Sequence, residues 1–165
     1  MKMRVTLLAI VIVSVFSGCG EGKDPIGMFA NEGTVPTLAF PFTPQAPVTS
    51  NKDGLILPVN ISSVAVTAPV AGLVTLIEMV TGATYSITIY YNSVYSVRIA
   101  QLNVVPTIRV GEYVQAGQLL GTVSGTAQVL FSVFQNGANV CSYSYLDTTA
   151  RTIVNSNLPV PCPFL

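Results

Sequence analysis

The side chains that usually carry catalysis are scarce in this chain. None of its 165 residues is a histidine, which removes the commonest metal ligand and the general base best matched to neutral pH. Its serines and cysteines would therefore need a carboxylate or a tuned lysine to become nucleophiles. After residue 55 the only carboxylates are Glu78, Glu112 and Asp147. They stand far apart along the chain and read as solvated acids or as partners of Arg98, Arg109 and Arg151, not as an acid–base pair. No glycine-rich phosphate loop and no metal-spaced cysteine cluster occurs. Seven basic residues balance seven acidic ones, so there is no positive field to hold phosphates, and nucleic acid is not an expected partner.

Three cysteines remain, and they divide into one and two. Lys2 and Arg4 precede an apolar stretch, Val5 to Phe16, which leads to Ser17-Gly18-Cys19. This is the layout of a secretory signal peptide over residues 1–18. Ser17-Gly18-Cys19 resembles the lipobox of bacterial lipoproteins. That resemblance implies a diacylglycerol on Cys19, acylation of the new amine by a chain such as palmitate, and a mature protein anchored to a membrane. No aspartate directly follows Cys19, which favours an outer-membrane destination, facing the periplasm or the cell surface. Loss of residues 1–18 leaves five basic and seven acidic residues, a net charge of −2. In an exported chain the pair Cys141 and Cys162 reads as a disulfide that staples the proline-rich C-terminus to the strand region; two free thiols are the alternative.

The elements that would position any site follow from composition and periodicity. Half the chain is hydrophobic and only 8% charged, with a mean hydropathy of +0.61, yet its one long apolar run is too short to span a bilayer. Residues 19–50 carry Pro25, Pro36, Pro41, Pro44 and Pro47 without sustained periodicity and read as a tether. Phe29, Phe40 and Phe42 within it are expected either to pack on the domain or to dock a partner. Residues 51–165 change to short β-rich runs. Tyr85, Ile87 and Ile89 alternate with Ser86, Thr88 and Tyr90, and Val129, Phe131 and Val133 with Gln128, Leu130 and Ser132, a period of two that places apolar groups on one sheet face. Turn cues fall at 80–82, 91–93, Ser124-Gly125 and Asn136-Gly137, the last a strong hairpin signal. No stretch shows helical periodicity with caps. The expected class is all-β, one compact domain of antiparallel sheets.

Three blocks in fixed order go beyond class: Val66-Thr67-Ala68-Pro69-Val70-Ala71-Gly72-Leu73-Val74, the run from Val110-Gly111-Glu112 to Leu119-Leu120-Gly121, and Phe131-Ser132-Val133-Phe134-Gln135-Asn136-Gly137 followed by Tyr145-Leu146. Together they resemble the LytM-type, or lysostaphin-like, peptidoglycan endopeptidases over about residues 50–146. In the middle block Val110, Val114, Leu119 and Leu120 are expected to supply core side chains, with Gly111, Gly117 and Gly121 at tight turns and close strand approaches. Biotinyl and lipoyl carrier domains share that block's turn. Lysine occurs only at Lys2, Lys23 and Lys52, so no hairpin after residue 55 offers an amine to carry either group.

The resemblance implies a zinc held by the His and Asp of His-x-Gly-x-Asp and by the second His of His-x-His, with two further histidines acting on substrate and water. At the matching positions this chain has Lys52 and Ile56, then Gln128 and Leu130, and Gln101 in Ile99-Ala100-Gln101-Leu102. A lysine ammonium has no lone pair to offer, and Ile and Leu have no ligand atom, so the resemblance implies a pseudoenzyme with no metal or other cofactor. The function it implies is binding, to peptidoglycan or to an envelope protein such as a cell-wall hydrolase. The former cleft face, Gln101, Gln128, Leu130 and Ser132, is expected either to recognise glycan strands or stem peptides or to be a filled-in groove. Tyr85, Tyr90, Tyr91, Tyr95, Tyr113, Tyr143 and Tyr145 are expected to form cross-strand packing or a stacking platform for sugars. The alternative function is a structural subunit that self-associates or joins a larger surface assembly, because so few charges leave sheet edges poorly protected.

Overall fold

Alternating β-branched and aromatic residues separated by turn residues produce one antiparallel sheet in the computed structural model, which describes residues 31–80, 84–156, 158 and 162. The signal peptide 1–18, Cys19, Phe29 and the first part of the tether lie outside the described residues. The strands are β1 (Thr49–Asn51), β2 (Gly54–Thr67), β3 (Gly72–Val80), β4 (Thr84–Tyr90), β5 (Tyr95–Leu102), β6 (Tyr113–Val114), β7 (Leu119–Gln135) and β8 (Ala138–Val140). Their order is β1-β2-β7-β5-β4-β3-β6, with β8 on the end of β7. The all-β antiparallel expectation holds.

Local chemistry explains most of the connections. Asn136 and Gly137 both have positive φ, 50° and 77°, the requirement of a tight two-residue hairpin between Gln135 and Ala138. Asn92 organises the β4–β5 turn: its Oδ1 accepts from the backbone of Val94 (3.0 Å) and Tyr95 (2.9 Å). Ser124-Gly125 is not a turn. The strand runs through it, and Ser62 and Ser63 of β2 bulge opposite Ser124. The Asn103 side chain pins the site, donating to Ser124 O (2.6 Å) and accepting from Ser124 N (3.0 Å). A β-bulge and a turn use the same small residues, which is why the cue misleads.

The core lies on one face of the sheet. Leu55, Leu57, Ile87, Ile89, Val97, Ile99, Val129, Phe131 and Val133 are all buried there. Of the middle block's expected core residues, Val114 and Leu120 are buried, whereas Val110 and Leu119 are exposed by 57% and 48%. Val110 adjoins the turn glycine Gly111, and Leu119 is the first residue of β7, at the end of its pairing with β2; Gly111 and Gly117 have positive φ as expected at turns.

Two segments close that face. From residue 31 onward the segment read as a tether is a strap laid across the domain. Leu38 and Val48 are fully buried and Phe42 nearly so, and the Phe40 ring meets Phe131 edge-on with centroids 6.1 Å apart. The backbone of Leu38 bonds Tyr145 O and Asp147 N, each at 2.8 Å. The domain boundary therefore moves from residue 51 to at least residue 31. The proline content is still explained, since prolines favour an extended strap as readily as a tether.

The second closing segment is a 3-10 turn (Ser142–Tyr145) followed by helix α1 (Thr148–Asn155). The sequence reading lacked this helix. Its cap is Asp147, whose Oδ1 accepts from Ala150 N at 2.7 Å, so that acid is a helix cap and not a free or arginine-paired carboxylate. Arg151 instead bonds Ser144 O at 2.7 Å and lies over the Tyr143 ring. A disulfide joins Cys141 to Cys162 with Cα atoms 5.7 Å apart.

Candidate functional site

The opposite face of the sheet carries the positions singled out by the sequence. Cross-strand pairing sets Glu78 opposite Ser86, Thr88 opposite Arg98, Arg98 opposite Ser132, Ala100 opposite Leu130, and Leu130 opposite Ile56. These residues alternate with the core residues, so the same period that buries Ile87, Ile99 and Phe131 turns Ser86, Arg98 and Ser132 to the other side.

Two adjoining depressions open there. One, of about 500 Å³, is lined by Val80, Thr84, Gln101, Asn103, Thr126, Ala127 and Gln128. The other, of about 400 Å³, is lined by Asp53, Val80, Arg98, Ala100, Gln101, Leu130, Ser132, Phe134 and Asn139. Val80 and Gln101 belong to both walls. Gln101, Gln128 and Leu130 are thus brought together, and Ile56 adjoins them through its pairing with Leu130. Lys52 is exposed on the rim, where its carbonyl accepts from Asn139 Nδ2 at 3.2 Å. The groove is an open surface, not a filled one.

Two backbone features hold the groove's shape. Gly54, the central glycine of Lys52-Asp53-Gly54-Leu55-Ile56, has φ 149°, and a Cβ there would collide with the carbonyl oxygen of Phe131; only glycine lets this end of β2 approach β7. On β5, Ala100 and Gln101 together stand opposite the single residue Ser86 of β4. Gln101 accommodates this bulge with φ 65°, a conformation that costs a non-glycine residue about 1–2 kcal/mol. The bulge puts its side chain into the wall shared by both depressions.

The polar groups of the groove are largely occupied with one another. The Glu78 carboxylate accepts from Arg98 Nη2 and from Ser86 Oγ, the latter at 3.2 Å. Ser132 Oγ donates to Asp53 O at 2.5 Å. Among the buried polar atoms, Arg98 Nε and Asn139 Oδ1 have no partner among the described residues. Asp53, Arg98 and Asn139 were not singled out for this face by the sequence; for Arg98 the signal available was its alternation with the buried Val97 and Ile99. Tyrosines take no part in the lining of either depression. They pack instead: Tyr85, Tyr91, Tyr143 and Tyr145 lie against the core, and Tyr95 and Tyr145 approach to 5.5 Å. Burial, then the neighbouring Tyr95, raises the Tyr145 phenol above its ordinary value.

The groove does not fit a zinc ion. Gln101 and Gln128 offer neutral amides, Leu130 and Ile56 offer hydrocarbon, and among the described residues no group of three His, Cys, Asp or Glu side chains lies together to hold a metal. What the surface can do is recognise amides and hydroxyls over an apolar floor.

No protein-family model matches the chain, and no curated protein matches it. Solved structures do. A candidate M23 peptidase from Pseudomonas aeruginosa has a TM-score of 0.57 at 22% identity, covering 67% of this chain and 53% of that one. Csd3 of Helicobacter pylori has a TM-score of 0.60 at 15% identity, covering 74% and 40%. A chain of the pore-forming SpoIIQ–SpoIIIAH complex has a TM-score of 0.55 at 17% identity, covering 73% and 97%. The chain thus spans about half the length of the first of these structures and less of the second.

Proposed function

We propose, from the premise that this chain carries the fold of the M23, or LytM-type, peptidases, that it is a degenerate form of that domain which acts by binding and does not cleave. The observation that carries the proposal is the combination of a kept shape with lost chemistry. Gly54 and the bulge at Gln101 maintain an open groove, while the positions where the resemblance calls for metal ligands and catalytic histidines hold Lys52, Ile56, Gln101, Gln128 and Leu130. The unpaired Arg98 Nε and Asn139 Oδ1 beneath it support a surface kept for something other than stability, since a buried polar atom without a partner costs about 1–3 kcal/mol.

The ligand we assign is peptidoglycan or an envelope protein. The SpoIIQ–SpoIIIAH complex supports the protein arm, as a case in which this fold occurs within a protein assembly. The address we assign is the cell envelope of a bacterium: export by residues 1–18, lipid on Cys19, and an outer-membrane location. The described residues contain no helix long and apolar enough to cross a membrane.

A photo-crosslinking residue at Gln128, in the full chain in its native envelope, tests the reading. Adducts with glycan strands or with one envelope protein are the expected result. Metal-dependent cleavage of muropeptides by the purified chain would overturn it.

A further inference from the structure

The sheet has an open edge. β6 covers β3 only at Gly72 and Leu73, and Val74 completes the contact through Gly111 N and Glu112 O, each at 2.8 Å. From Thr75 to Val80 the outer backbone edge of β3 has no strand partner among the described residues. Soluble proteins usually guard such an edge with lysine, proline or a covering segment. Among the described residues this edge has no lysine, no proline and no covering segment: Thr75-Leu76-Ile77-Glu78-Met79-Val80 contains a single charge, that of the partly exposed Glu78, which also pairs with Arg98. Leu76, Met79 and Val80 are exposed by 43%, 69% and 38%. Leu76 and Val80 flank Glu78 on the groove side, and Val80 walls both depressions.

We propose that the Thr75–Val80 edge is a docking site for an extended segment of a partner protein, which adds to the sheet as a further strand beside β3. The proposal rests on the reading of this chain as a binding domain and names where a protein partner sits. Backbone pairing supplies the general attraction, and alternate side chains supply the selectivity. The segment would place apolar residues opposite Leu76 and Val80 and a basic residue opposite Glu78.

The same charge argues against a second copy of this chain as the occupant. In antiparallel self-pairing with the groove faces on one side, the register that matches Leu76 to Val80 sets Glu78 opposite Glu78, and like charges directly opposed are destabilising. Shifting the register by two residues either way sets Glu78 against an apolar side chain instead.

The test is binding of a labelled, acetylated and amidated peptide with valine at its second and sixth positions, lysine at its centre and threonine elsewhere. It is read by fluorescence anisotropy against the full mature chain in detergent. Saturable binding is expected, weakened about tenfold by Leu76→Lys and by glutamate at the peptide's centre. N-methylation of alternate peptide amides is expected to abolish binding on one edge of the peptide only. Absence of saturable binding, or binding indifferent to these changes, overturns the proposal, as does a dimer in sedimentation that Leu76→Lys dissolves. A crosslinker at Met79, compared with one at Gln128 in the native envelope, separates this proposal from the broader one. Capture at Gln128 alone overturns the edge and leaves the binding domain standing; capture at neither position overturns both.

Discussion

The two faces of the central sheet are built from the same strands by the same alternation and have opposite characters. On the core face, Ile87, Ile99, Val129, Phe131 and Val133 are completely buried under the strap and helix α1. On the groove face, the neighbours Arg98, Gln128, Leu130 and Ser132 help line a shallow surface of amides and hydroxyls over an apolar floor, on which no strand or helix is laid among the described residues. The difference teaches that the residues holding this fold together and the residues lining its groove are separable. A chain can change every functional side chain on one face while the other face keeps the architecture.

Substitutions that sit side by side on β7 should break this comparison most visibly. Phe131→Ala is expected to destabilise the mature chain by about 3–5 kcal/mol in urea unfolding, because it empties the centre of the core. Leu130→Ala, one residue away, should cost less than about 1 kcal/mol, since its half-exposed side chain leaves no enclosed cavity. Equal losses would mean that the groove face is structural. Leu38→Ala follows, with an expected loss of about 2–5 kcal/mol in the same assay; no loss would return residues 31–50 to the role of a free tether. Asp147→Ala should remove the α1 cap for about 1 kcal/mol, lowering helical signal in circular dichroism. The smallest effect is a gain: Gln101→Gly relieves the bulge's backbone cost and should raise stability by less than about 1 kcal/mol. If that variant also loses adducts at Gln128, the amide is part of the recognition surface.

Much of this division was readable beforehand. The period of two located Ile87, Ile89, Val129, Phe131 and Val133 in the core, and Asn136-Gly137 fixed a hairpin, because both signals are local and each has one main structural solution. Gln101, Gln128 and Leu130 were placed on one surface by resemblance, and they line adjoining depressions. The strap was half-legible: of the two readings given to Phe40 and Phe42, packing on the domain holds, but the prolines describe an extended backbone equally well whether or not it is docked, and docking also depends on Leu38 and Val48 finding partners far away in sequence. Helix α1 escaped because eight residues are too few for a clear apolar stripe, and Asp147 is one of several acids that could have capped or paired. Ser124-Gly125 was read as a turn because the Asn103 side chain that holds the bulge is a long-range contact. Asp53 and Asn139 reach the groove through the pairing of β2 and β8 with β7, a register that local sequence does not encode.

The central claim is that the fold survives here without its metal chemistry. Zinc content of the purified, untagged mature chain, measured by mass spectrometry after incubation with excess zinc and gel filtration, tests it most directly. The account predicts a trace well below one ion per chain; one tightly held zinc per chain would contradict it.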